Sequence, residues 1–429
     1  MQVGILIGNN IPKATEPLKV INSQQEGPYA CYTPIGWIVY GIHKSINSTA
    51  GISVNRITVQ ESIDSQLVKL YNHDFQESLA DDMPEKSMKD KQFLANVEKT
   101  IKFTDHGQYE IGLPLDDKEV TFPNNKVQAE VRAAHLKRKL SKNQTFYTDY
   151  KATVNDMIRK GYAERVPVEE LEGSPGRTWY IPHHGVIHPR KNKLRVVYDC
   201  AATYKGFSLN KELLQGPDLT SNLHGVVMRF RQEPVALMGD IEAMFHQVEV
   251  SRKDRDLLRF LWWQEGDIER PVEEYRMCVH PFGATSSPAI ANFALRRTAE
   301  AASSQYSQEV IDTMLHNFYV DDCLRSVPTE SEAVSLVKDL QEVCRSGGFR
   351  LTKWLSNSRE VLKTVPPAER AKDIRSLDLS QDPLPPDRAL GMKWKVESDT
   401  FGYSIDLQEK PPTRREYYQP LVRCMTHWV

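Results

Sequence analysis

Asp321 and Asp322 stand side by side between the apolar stretches Phe318-Tyr319-Val320 and Cys323-Leu324. An acidic pair with apolar flanks on both sides reads as a β-hairpin that buries its arms and leaves two carboxylates at its tip. A third aspartate, Asp240, closes the apolar run Val235-Ala236-Leu237-Met238-Gly239, a strand that ends on a carboxylate. If the two strands share a sheet, three acids from distant parts of the chain meet at one sheet edge. Such a set of hard oxygens suits two Mg²⁺ ions, with Mn²⁺ as a substitute. A lone Asp-Asp is ordinarily a solvated turn, so the weight falls on what accompanies it.

Composition narrows the setting without naming a partner. The chain has 429 residues, 40% of them hydrophobic, enough for two or three units with cores. A net charge of −2 means that any surface for nucleic acid must be local. Six scattered cysteines, with no paired C-x-x-C spacing, suggest neither a disulfide framework nor a zinc module, and a reducing compartment fits best. The short apolar stretch within Met1–Asn10 has no basic segment before it, and no run reaches membrane-spanning length. A cytoplasmic or nuclear location with no membrane partner is the expectation.

Patterning divides the chain into residues 1–45, rich in β-formers and Gly/Pro punctuation, a polar connecting segment at 46–124, a long α+β region at 125–403, and a divergent tail at 404–429. Within the connecting segment one short helix is expected around Ser62–Asn72. Apolar residues at helical spacing predict two helices between Asn125 and Tyr162. Strands are expected at Trp179–Ile187 and Leu194–Tyr198, joined by the charged turn His188-Pro189-Arg190-Lys191-Asn192-Lys193. Further on come a helix over Leu219–Phe230, a strand over Val235–Gly239, a strand pair at Leu258–Trp263 and Glu274–Val279, and a helix over Ser287–Ala302. A helix near Glu309–Leu315, the Phe318–Val327 hairpin, a helix over Glu330–Arg345 and a strand near Gly348–Thr352 complete the series. This interleaving fits an antiparallel sheet backed by helices on one face.

Residues 178–403 resemble the reverse transcriptase of BEL/Pao-type LTR retrotransposons. The likeness rests on Leu194-Arg195-Val196-Val197-Tyr198-Asp199, Leu214-Gln215-Gly216-Pro217-Asp218-Leu219, Asp240-Ile241-Glu242-Ala243-Met244-Phe245-His246-Gln247-Val248, Phe282-Gly283-Ala284-Thr285-Ser286-Ser287-Pro288, Phe318 to Cys323, and Gly348-Phe349-Arg350-Leu351-Thr352-Lys353-Trp354. It implies the fingers and palm of a right-hand polymerase. By position, Asp240, Asp321 and Asp322 would be metal ligands, and Lys193 and Arg195 would touch the incoming triphosphate. Phe245 would lie under the sugar and exclude a 2′ hydroxyl. Gly283 would let the backbone approach template and nucleotide, and Phe282 stands where retroviral enzymes carry glutamine. Lys353 matches a lysine proposed as general acid for the departing pyrophosphate, with a plain surface lysine as the alternative. Leu390-Gly391-Met392-Lys393-Trp394 resembles the primer-grip hairpin.

Local chemistry agrees in one respect: from Gly173 to Tyr198 no acidic residue occurs, while Arg177, Arg190, Lys191, Lys193 and Arg195 do, a strip suited to phosphate or simply to solvent. Residues 1–45 resemble the C-terminal part of a retropepsin-like aspartic protease, without its catalytic Asp-Thr/Ser-Gly triplet, so proteolysis by this chain is not expected. RNase H and integrase regions are missing, which suggests a fragment of a longer reading frame, with other polyprotein domains as partners. The implied activity is RNA-directed DNA polymerisation, adding dNTPs to a primer on an RNA or DNA template. Whether the chain is an active enzyme stays open, because a relic that keeps the fold or nucleic-acid binding without turnover has the same motifs. An RNA-dependent RNA polymerase is disfavoured by the bulk of Phe245.

Overall fold

The computed structural model describes residues 16–21, 29–33, 36–40, 87–116, 119–187 and 194–402. The apolar stretch Gly4–Gly8 of the β-rich N-terminal segment, the helix expected at Ser62–Asn72, Lys193 and the tail from 404 lie outside them. The chain divides into two units, Met1–Lys69 and Leu70–Val429. In the first, β1 (Lys19–Ile21), β2 (Tyr29–Thr33) and β3 (Gly36–Tyr40) form an antiparallel sheet in that order.

The second unit opens with α1 (Met88–Thr100), started by a reciprocal capping box between Ser87 and Asp90. Short strands β4 (Lys102–Phe103) and β5 (Tyr109–Ile111) follow. The two helices expected before Tyr162 are α2 (Lys126–Lys142) and α3 (Gln144–Arg159), split where the Asn143 side chain accepts a hydrogen bond from the Phe146 N–H. Next come β6 (Ala163–Arg165) and the ribbon of β7 (His183–Ile187) with β8 (Leu194–Tyr198). β7 starts later than the pattern suggested. Trp179 and Ile181 exchange backbone hydrogen bonds with Asp256 and Arg259 instead, which pulls that segment out of the ribbon.

After α4 (Leu209–Glu212) and α5 (Leu223–Phe230) the chain enters β9 (Val235–Ile241), and β10 (Glu249–Val250), β11 (Arg259–Trp263) and β12 (Val272–Met277) follow. Asn222 caps α5 by accepting from the Gly225 N–H, so that helix begins later than the apolar pattern did. Helices α6 (Ser287–Ala302) and α7 (Gln308–His316) lead to the hairpin of β13 (Phe318–Tyr319) and β14 (Asp322–Val327). α8 (Glu330–Ser346), β15 (Leu351–Ser356) and α9 (Arg359–Thr364) follow, then β16 (Asp387–Ala389), β17 (Met392–Lys395) and β18 (Thr400–Gly402).

The central sheet has the order β13-β14-β9-β15, antiparallel throughout. Along β9, alternate side chains go to opposite faces. Val235, Leu237 and Ile241 join a core built with α6, α7 and α8. Ala236 and Met238 join a second core with Val226 and Phe230 of α5 and Trp394 of β17. Helices therefore back the sheet as expected, and its other face is covered as well, which is why β9 is apolar at consecutive positions. A third core gathers α2, α3 and the antiparallel sheet β11-β12-β6. The architecture is α+β.

Candidate active site

Asp240 is the penultimate residue of β9, and its cross-strand partners are Asp322 of β14 on one side and Thr352 of β15 on the other. Directly opposed residues of an antiparallel pair project from the same face, so Asp240 and Asp322 share one. Asp321 sits in the hairpin tip, where its carbonyl accepts a 2.8 Å hydrogen bond from the Ile241 N–H. That bond ties the tip to the strand that carries Asp240. Val320, beside it, has φ 55°, a left-handed conformation that a β-branched residue resists at a cost on the order of 1–3 kcal/mol. The strain lies in the turn that presents the acidic pair.

The electrostatics follow from crowding. Burial, then the neighbouring carboxylates of Asp321 and Asp240, push Asp322 up to about 7, with Lys353 opposing. Burial and Asp240 raise Asp321 as well. Lys353 lies in a β-bulge of β15 between Thr352 and Leu355, at φ 54°, and its Nζ is 2.5 Å from Asp240 Oδ1. One ammonium thus faces three carboxylates. Such a donor set fits a divalent cation. Among the described residues, however, no three His, Cys, Asp or Glu side chains are already gathered as a ligand cage. Asp240 is turned to Lys353 instead.

The aromatic residues singled out in the sequence meet. The ring centroids of Phe245 and Phe282 are 4.6 Å apart, and the His246 ring meets Phe282 edge-on at 4.9 Å. His246 also packs on Tyr162, and burial holds its imidazole down at about 4, so it stays neutral near pH 7. Gly283 has φ 114°, and a Cβ there would lie 2.3 Å from the Tyr198 carbonyl oxygen. Only glycine fits that approach. Arg195 is exposed on β8 opposite Val186 and forms no ion pair among the described residues. Lys193 lies outside them.

Two positioning residues were given no role from the sequence, although Gln247 lies within the Asp240–Val248 motif. Asn210 donates from Nδ2 to the Gly283 carbonyl at 3.0 Å and accepts from the Thr285 N–H at 3.0 Å, clamping the loop that holds Phe282. Gln247 donates from Nε2 to the Glu242 carbonyl at 2.9 Å, closing the turn after Asp240. Both are common polar residues whose partners only the fold brings near.

Residues 190–354 match the family described as Reverse transcriptase (RNA-dependent DNA polymerase). This stretch is similar to a reverse transcriptase domain. It includes all three aspartates, the bulge lysine and the aromatic pair. No curated protein matches the chain. Among solved structures, the foamy viral protease-reverse transcriptase in complex with double-stranded DNA is 16% identical, over 65% of this chain and 40% of that one, at a TM-score of 0.44. A Prototype Foamy Virus protease-reverse transcriptase mutant is 18% identical, over 49% of this chain and 24% of that one, at 0.34. The chain spans less than half the length of either.

Proposed function

We propose that this chain is the RNA-directed DNA polymerase part of a BEL/Pao-type retrotransposon polyprotein, with residues 125–403 as fingers and palm, 1–45 as the end of a retropepsin-like protease, 46–124 as connector and 404–429 as a divergent tail. It would act in the cytoplasm or nucleus on an RNA or DNA template with a primer. The observation that carries the activity is the direct opposition of Asp240 and Asp322 on paired strands, with Asp321 bonded to the same strand end.

Asp240, Asp321 and Asp322 would hold Mg²⁺, or Mn²⁺ in its place. Bound there, the metal supplies charge neutralisation at the phosphates and activates the primer 3′ hydroxyl. The protein's own work is positioning. Phe245, braced by Phe282, would set the floor of the sugar pocket and favour dNTPs. Gly283 would let the backbone come close to the nucleotide. Arg195, with Lys193, would bind the triphosphate, and Lys353 would supply a proton to the departing pyrophosphate. Primer extension on an RNA template tests this: D240A or D322A should lose roughly 10³-fold or more of the rate, and wild-type-like extension by either variant would sink the assignment.

A second reading, a relic that binds nucleic acid without turnover, draws on the engagement of Asp240 Oδ1 by Lys353. Tight primer-template binding with no incorporation of dNTPs would select it.

A further inference from the structure

The bulge in β15 has no role in pairing the sheet. It interrupts the register between Thr352 and Leu355, where both neighbours are paired with β9, and it holds a long side chain at φ 54°, a conformation that favours glycine. This costly local geometry places the Lys353 ammonium 2.5 Å from Asp240 Oδ1. The pair is half open to solvent on the lysine side, with side-chain exposures of 50% and 23%, so the ammonium can leave without unfolding anything.

We propose that Lys353 is a resident counter-ion of the carboxylate cluster, a positioning residue that occupies the Asp240 oxygen when no metal is bound and so competes with the divalent cation for the site. This rests on the metal reading above and goes beyond the proton-donor role given there to Lys353. Like charges brought together by folding need a neutralising partner, and an ammonium held by the backbone supplies one without a bound ion. The same contact lowers metal affinity, because an incoming cation must displace it.

The test uses the full chain stripped of metal by chelator, with Mn²⁺ binding followed by electron paramagnetic resonance and thermal midpoints measured with and without Mn²⁺. K353M removes the charge at similar length, and K353G removes it while suiting the left-handed backbone, which guards against a variant that fails to fold. Both should bind Mn²⁺ roughly tenfold more tightly than the unsubstituted chain. K353M should melt earlier in chelator, a deficit that saturating Mn²⁺ removes, and K353R should keep both properties near those of the unsubstituted chain. A role confined to proton donation would change the extension rate and neither of these readouts. Equal or weaker Mn²⁺ binding by K353M and K353G overturns the counter-ion proposal alone. If neither the unsubstituted chain nor the variants bind Mn²⁺, the metal reading falls with it.

Discussion

Phe282 lies against Phe245, ring centroids 4.6 Å apart and planes inclined by 36°, with Phe282 45% exposed. A ring braced by another ring has less freedom to yield to an added hydroxyl. F282A is therefore expected to reduce discrimination between dNTPs and rNTPs by about tenfold, equivalent to about 1.4 kcal/mol, and F245A by more. Single-nucleotide incorporation with matched dNTP and rNTP measures the ratio. Unchanged discrimination in F282A would show that its ring does no bracing.

Asp322 yields a pH prediction with a definite sign. Its folded-state value is raised from 3.8 to about 7, so between these values the folded chain holds a proton that the unfolded chain has released. Folding stability from this group is greatest below about pH 4 and declines as pH rises toward 7. In chelator, D322N should remove that decline and be more stable than the unsubstituted chain at pH 8, by on the order of 1 kcal/mol. Thermal melts of both proteins at pH 5 and pH 8 decide the matter. A larger advantage for D322N at pH 5 than at pH 8 would contradict it.

Arg259 is completely buried, bonded through Nε to Asp256 at 3.0 Å and through Nη1 to Glu274 at 2.9 Å, beside Arg276 with its own carboxylate partners. R259M leaves Glu274 buried without that arginine and should cost about 3–5 kcal/mol in urea unfolding. R259M/E274M should recover part of the loss, because a buried apolar pair needs no counter-charge. A double variant less stable than the sum of the single losses would argue against this account.

Gly283 offers a test of backbone approach. At φ 114°, with the Tyr198 carbonyl oxygen 2.3 Å from where a Cβ would sit, G283A must move either its own loop or β8. Its expected cost is about 1–3 kcal/mol in stability, with a higher KM for the nucleotide because Phe282 moves with the loop. Unaltered stability and KM would show that the loop accommodates the methyl group freely.

Much of this protein was legible before folding. Alternating or continuous apolar runs marked β9 and the hairpin of Phe318–Val327, because burial on a pleated sheet leaves a short-range signature. Apolar residues at helical spacing marked the pair before Tyr162 and the helix from Glu330, because one buried helix face repeats over a few residues. Where the reading slipped, a hydrogen bond made outside the expected element was the reason. The strand expected from Gly348 starts at Leu351, since Gly348 turns at φ 82° and the Phe349 N–H is used to finish α8 through the Cys344 carbonyl.

What the amino-acid order alone determined was the inventory: which residues form strands and helices, and which acids and aromatics could serve a site. Only the tertiary structure decided that Asp322 faces Asp240, that a bulge sends Lys353 to the same carboxylate, that Asn210 clamps the Gly283 loop, and that Arg259 is neutralised within the β11-β12-β6 sheet. The reason is range. Register and ion pairing join residues far apart in the chain, and a one-residue slip would turn every side chain of a strand to the other face, so their outcome depends on packing that no short window of sequence contains.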